Sequence, residues 1–303
     1  MAKQSWISLD KVVLIIGLII YGTGFSLLYI IFAPLSRSIG LSTNQFGILI
    51  AISNVALVFS SYFWGKKSQS MGRKPVFIIG LFSYAIAYAL FAFGIQIGLW
   101  GLLASWQLFS LLFIIRLLYG SLIGGIQPAA TAYISDTTDE TTRIKGMALI
   151  GMASGIGTII GPIVGGGLAF IHPIFPLYFG AGIAVLGGIL SMKFLIEPKQ
   201  QTPVSKTGNL KFYDKRIMPY LIGWGLVFLV FTATQVIAAF FIEDRLGVAT
   251  QSEIIKATSI SLLSMAFTTT LMQAVVLQII DVSPKTLLRL CRSEEHTSEL
   301  QSQ

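Results

Sequence analysis

The chain has 303 residues, 54% of them hydrophobic and only 11% charged, with a mean hydropathy of +0.78 and a formal charge of +8. A soluble domain carries about 25% charged residues, so 21 basic and 13 acidic side chains are too few to cover a water-soluble protein of this length. The apolar excess excludes disorder, and a single cysteine, Cys291, excludes a disulfide scaffold, which leaves a membrane chain.

Apolar stretches of spanning length recur at about 12–36, 46–64, 75–97, 103–131, 146–170, 174–196, 217–241 and 257–280. Continuous apolar runs such as 12–20 and 76–81 lack the alternation of a barrel strand, so the spans are read as helices. The first is long and leads directly into further spans, unlike a cleavable signal. With the N-terminus inside, seventeen of the 21 basic residues fall on the inner side, three (Arg37, Arg245, Lys256) on the outer, and Arg116 lies within a span. That bias places the N-terminus of a multi-pass membrane protein in the cytoplasm, and a bacterial inner membrane is the expected location. The positive charge is thus a topology signal with anionic membrane lipid as its partner. Nucleic acid is not expected, because no basic cluster sits beside a soluble fold with stacking aromatics. The polar stretch 197–216, with Pro198 and Gly208, reads as a cytoplasmic linker between a six-helix bundle, 1–196, and two further spans within 217–290. Trp6, Trp64, Trp100 and Trp106 fit interfacial belts, whereas Trp224 falls inside a span and reads as packing.

In chain order, the first candidate feature is Tyr21, Phe25 and Tyr29, four apart on one stripe of span one, equally a packing face or a pocket wall. The turn after span two contains Gly65, Gln69, Gly72, Arg73 and Lys74, followed by Pro75 at a helix start. Span four carries Arg116, costly inside a membrane, which either faces a protein cavity or snorkels outward. Trp106 and Gln107, some ten residues earlier, already mark the interface and favour the cavity. Asp136 leaves span four on the same side as Arg73, and the two are expected to pair in one conformation. Span five carries Gly157, Gly161, Pro162, Gly165 and Gly166, small residues whose spacing lets helices approach closely.

These motifs, within 65–167, resemble the signatures of the major facilitator superfamily. Gly65, Gly72, Arg73 and Lys74 match its loop between helices two and three, with Gln69 in the usual Asp position and Ser70 at a commonly basic one. The run from Leu112 through Arg116 to Gly120 is similar to its helix-four motif, with Tyr119 for the usual Gln. Gly157 to Gly166 resembles the drug/proton antiporter branch that includes tetracycline exporters, with Ala148 as a mild departure upstream. The segment around Asp136, and the run 240–247, resemble the helix-four exit and the outer end of helix seven in those exporters. The resemblance implies an all-α polytopic membrane fold of major facilitator type. It would comprise a complete N-terminal six-helix bundle plus the first two helices of a C-terminal bundle, four helices being absent. It also implies proton-coupled export of small hydrophobic or amphiphilic organic molecules by alternating access. Gly65, Gln69, Gly72, Arg73, Lys74 and Asp136 would act as a conformational switch. Arg116 and Tyr119, with Tyr21, Phe25, Tyr29 and Gln235, would serve coupling or the cavity wall.

No acidic residue lies deep in spans one to six, and Asp281 sits at the inner end of span eight, so the proton carrier is not identified. A facilitator or importer of a small metabolite, and a non-transporting scaffold, stay open as alternatives. No nucleophile–base pair, metal cluster or phosphate loop is legible, so neither an enzyme nor a cofactor or metal is expected. Residues 292–302 resemble the translation of a sequencing adapter. A non-native tail at 291–303, a coding sequence cut near Leu290 and a fragment unable to transport are therefore expected.

Overall fold

The computed structural model describes residues 8–198, 218–246 and 250–274. The linker interior at 199–217, the stretch 247–249 and all positions from 275, including Asp281, Cys291 and the adapter-like tail, lie outside the described residues, as do Lys3, Trp6 and the side chain of Trp224. The elements in order are α1 (Leu9–Ser38), α2 (Thr43–Met71), α3 (Arg73–Leu99), α4 (Ser105–Ile123), α5 (Ile126–Asp136), α6 (Glu140–Leu168), α7 (Phe175–Phe194), α8 (Met218–Leu246) and α9 (Gln251–Ala274). Among the described residues there is no strand.

Among the described residues, six spans are long and apolar enough to cross a membrane: α1, α2, α3, α4 with α5 taken together, Lys145–Leu168 of α6, and α7. The fourth expected span, 103–131, is not one helix but α4 and α5, broken at Gly124 and Gly125. Pro128 has no N–H for the carbonyl of Gly124, and its ring crowds the preceding turn. The Ser121 carbonyl, where the helix breaks, accepts the indole N–H of Trp64 at 2.9 Å. Other boundaries also extend past the apolar stretches, because hydropathy marks membrane depth while caps lie in the polar flanks. Thus α6 starts at Glu140 rather than 146, α8 ends at Leu246 rather than 241, and α9 starts at Gln251 rather than 257. A reciprocal cap begins α9: the Thr250 N–H donates to Glu253 Oε2 at 2.9 Å and the Glu253 N–H to Thr250 Oγ1 at 3.4 Å. Ser42 and Gln45 cap α2 in the same way.

A helix that is apolar all round belongs in the interior. That helix is α1, whose most apolar window is 72% buried against 28% in both α2 and α6. It packs on α3, α6 and α7, while α2 packs on α4. Leu14, Leu18, Leu27, Ile30, Ile31 and Phe32 of α1 are fully buried. Hydroxyls within the spans turn back onto their own helices, as Thr23 Oγ1 does to the Ile19 carbonyl at 2.8 Å and Ser53 Oγ to that of Ile50 at 2.8 Å. Residues up to Leu263 form one compact unit; a second begins at Ser264, and its described part is the rest of α9.

Candidate functional site

At one end of the bundle, Gly72 closes α2 and opens α3 with φ +101°, a left-handed conformation that favours glycine. Glycine brings no capping side chain, and Glu197 supplies the cap from beyond α7. Its carboxylate accepts the Arg73 N–H at 2.6 Å and the Lys74 N–H at 2.9 Å, satisfying two free donors of the first turn. A Cβ at position 72 would lie 2.8 Å from that carboxylate, a second reason for glycine there. The Arg73 side chain donates from Nε to Asp136 Oδ2 at 2.9 Å and from Nη1 to Ser68 Oγ at 2.7 Å. Arg73 and Asp136 are only 14% and 17% exposed, so their pairing is less screened than that of a surface pair. The structure therefore gathers Gly72, Arg73, Lys74 and Asp136 around Glu197 and Ser68. Gly65 faces Pro128 of α5 at 3.5 Å, and Gln69 lies exposed on α2. Nearby, the Tyr133 hydroxyl donates to Asp10 Oδ2 at 2.6 Å and Lys11 Nζ to the Thr137 carbonyl at 3.3 Å, tying the start of α1 to the end of α5.

Deep in α4, Arg116 is 3% exposed. Its Nε donates to the Leu49 carbonyl at 3.2 Å and its Nη2 to Ser53 Oγ, both on α2. The guanidinium carbon lies 4.9 Å from the centre of the Tyr119 ring and 5.6 Å from that of Phe91. Among the described residues it forms no ion pair. Tyr84, Tyr88 and Tyr119 cluster beside it, with ring centres 4.4 to 6.3 Å apart. The Tyr88 hydroxyl donates to the Gly24 carbonyl, whereas that of Tyr119 is buried without a partner among the described residues. Tyr21 and Tyr29 are buried, and the half-buried Phe25 meets Tyr29 edge-on at 5.4 Å. Gln235 is buried on α8, and its amide oxygen has no partner among the described residues.

At the opposite end, Arg37 of α1 reaches α8. Its Nη1 lies 2.6 Å from Asp244 Oδ1 and 3.2 Å from Glu243 Oε2, and its guanidinium stands 4.8 Å over the Phe240 ring. Phe240 in turn meets Phe46 of α2 edge-on at 5.1 Å. Both carboxylates lie past the apolar stretch that ends at 241. The hydrogen bond from Arg37 holds the Asp244 carboxyl below the usual range. Burial pushes that of Glu243 up against the opposing attraction of Arg37.

The span-five glycines form a seam between α6 and its neighbours. A Cβ at Gly157 would lie 2.5 Å from the Ile19 carbonyl oxygen, and one at Gly161 2.6 Å from Ser26 Cβ. Gly165 faces Leu27 at 3.1 Å, and Gly166 faces Ser259 of α9 at 3.0 Å. Gly22 on α1 returns the contact, 2.9 Å from the Ser154 carbonyl oxygen. Pro162 sits inside α6 one residue past Gly161.

Sequence reasoning missed Glu197, Ser53 and the Arg37 cluster. The last was within reach, since Arg37, Glu243 and Asp244 share a side by the same topological logic that linked Arg73 to Asp136. Ser53 and Glu197 carried no comparable signal. Among the described residues, no group of three or more His, Cys, Asp or Glu side chains could hold a metal ion.

Comparison with known proteins places this geometry. The Major Facilitator Superfamily model matches residues 14–292. Multidrug resistance protein 1 of Bacillus subtilis (strain 168) is 28% identical over 240 residues, covering 78% of this chain and 59% of that protein. Quinolone resistance protein NorA of Staphylococcus aureus (strain MRSA252) is 26% identical over 166 residues, 55% of this chain and 40% of that protein. The chain thus spans less than two thirds of the length of these relatives. Two solved structures share the fold. A bacterial homolog of the human lysosomal transporter Spinster matches with TM-score 0.67 and 18% identity over 91% of this chain and 63% of that one. The nucleoside transporter NupG matches with TM-score 0.63 and 18% identity over 92% and 67%. With an all-α polytopic fold and a match running almost end to end, the chain is a member of the Major Facilitator Superfamily.

Proposed function

We propose that this chain is part of a secondary transporter that exports small hydrophobic or amphiphilic organic molecules by alternating access, driven by a proton gradient. In this reading residues 1–196 are its first bundle, 197–216 its cytoplasmic linker and 217–290 the start of its second. Residues 291–303 are a non-native tail, adapter-like from 292. The observation that carries the reading is Arg116, a cation buried among tyrosines within a bundle of membrane-length helices, where a charge is retained for function rather than stability. The tight α1–α6 seam supports the antiporter branch, and the multidrug and quinolone resistance proteins above support the substrate class.

Rocking of two bundles breaks contacts between them and keeps contacts within each. The partners found for Arg73 are Ser68 and Asp136 within the first bundle and Glu197, the first residue of the linker, where it leaves α7, so that cluster braces the first bundle. The contact of Arg37 with Glu243 and Asp244 crosses to α8 and must open when the outer side opens.

The test is dye transport by everted vesicles from cells expressing the complete gene that encodes this chain. Uptake that follows an imposed proton gradient, and stops with an uncoupler, supports export. Absence of transport of any lipophilic dye refutes it. Uptake indifferent to the gradient favours a facilitator, a reading supported by the lack of acidic residues deep in spans one to six.

A further inference from the structure

We infer that the Arg116 cluster is an anion receptor, and that the molecule carried is an organic anion or zwitterion with an aromatic body. This deepens the transport reading above and rests on it. A guanidinium has five N–H donors. Arg116 uses one on the Leu49 carbonyl and one on Ser53, both neutral acceptors. Among the described residues its remaining donors have no hydrogen-bond partner and its charge has no counter-ion at 3% exposure, and a buried cation without a counter-charge is the costly arrangement.

A second group points to the same ligand. The Tyr119 hydroxyl is buried without a partner among the described residues, on a ring 4.9 Å from the guanidinium carbon. A phenol turns its O–H toward an incoming anion and strengthens when it does so. The rings of Tyr119 and Phe91, within 5.6 Å of the charge, offer flat faces to an aromatic body. They attract cations too, but weakly beside a full positive charge already in place. A carboxylate or sulfonate meets three complementary features here, and a quaternary ammonium meets repulsion.

The test compares two probes of matched ring and opposite charge, naphthalene-1-sulfonate and trimethyl-1-naphthylammonium. Their binding is measured by equilibrium dialysis against the full chain in nanodiscs of zwitterionic lipid, corrected with empty nanodiscs. The sulfonate is expected to bind about tenfold tighter, the scale of hydrogen bonds to a charged group. Arg116→Gln abolishes that preference, Arg116→Lys keeps part of it, and Tyr119→Phe weakens sulfonate binding about threefold while leaving the cation unchanged. If Arg116→Gln does not fold, as judged by size-exclusion profile and melting, the other two variants decide. Equal or tighter binding of the cation, no binding of either probe, or a preference unchanged in these variants overturns the inference. The measurement needs no gradient, so it fails or succeeds separately from the vesicle assay. Transport with no anion preference sinks the receptor alone, and anion binding without transport sinks the transport reading and leaves Arg116 an anion receptor only.

Discussion

The α1–α6 seam makes a quantitative prediction at Gly157. An alanine Cβ there would sit 2.5 Å from the Ile19 carbonyl oxygen, 2.8 Å from the Thr23 nitrogen and 2.9 Å from the Gly22 carbonyl carbon. Ordinary contact begins at 3.4 Å, so α6 must retreat by about 0.9 Å against the oxygen. All three obstacles are backbone atoms of the most buried helix, and no rotamer change relieves them. Overpacking of this kind costs about 1–3 kcal/mol. Replacing glycine by alanine within a helix also gains about 0.8–1 kcal/mol in propensity. Gly151 and Gly167 share that gain and have nothing within 4 Å of the added atom, so they isolate the steric part. Gly157→Ala should therefore fall about 1–3 kcal/mol below Gly151→Ala and Gly167→Ala. Gly161→Ala, against Ser26 and the Thr23 carbonyl, should come next. Gly165→Ala, against the flexible Leu27, should be mild. Reversible unfolding in mixed micelles, followed by circular dichroism, gives the five values. Equal stability of Gly157→Ala and Gly167→Ala would falsify the claim that backbone contact sets the α1–α6 distance.

Four further outcomes are expected. Arg73→Ala and Asp136→Ala should couple by about 1–2 kcal/mol in a double-mutant cycle read by the same unfolding, and a strictly additive pair removes the brace. Glu197→Ala should lower stability by about 1 kcal/mol through the lost cap of α3, with hydrogen exchange rising at Arg73 and Lys74 but not in mid-helix; unchanged exchange at those amides counts against the cap. In a Cys291→Ser background, Arg37→Cys with Asp244→Cys should be joined by a short bismaleimide that spans the length of the ion pair it replaces, and failure to join contradicts the α1–α8 contact. In the unsubstituted chain the Asp244 carboxyl is held below its usual value. Its contribution to this contact therefore stands above the unfolded value of about 3.9 and fades as pH falls through the lower, folded one. Protection of a reporter cysteine near Arg37 from a membrane-impermeant reagent should be lost over that same acid range, and protection that instead weakens as pH rises reverses the assignment.

Local properties were legible because they belong to short stretches of chain. The membrane-length apolar spans, the close-packing glycines from Gly157 to Gly166 and the charge of Arg116 follow from composition and spacing alone. The sharing of one side by Arg73 and Asp136 led to their pairing, and the same step, taken for Arg37 with Glu243 and Asp244, would have led to the other cluster. Pro128 and the adjacent Gly124 and Gly125 announced a break in the fourth span that a hydropathy window averages away, and Thr250 with Glu253 spelled out the start of α9. Other features had no counterpart in the order of residues. Glu197 caps a helix 124 residues before it through the backbone N–H of Arg73, which any residue but proline would offer. Arg116 is held by the Leu49 carbonyl, and Gly157 is confined by that of Ile19, oxygens that every amino acid carries. A chain can advertise which side chains it possesses, but not which peptide groups will face them. Only the packing of α1 against α6, and of α2 against α4, decided those partners.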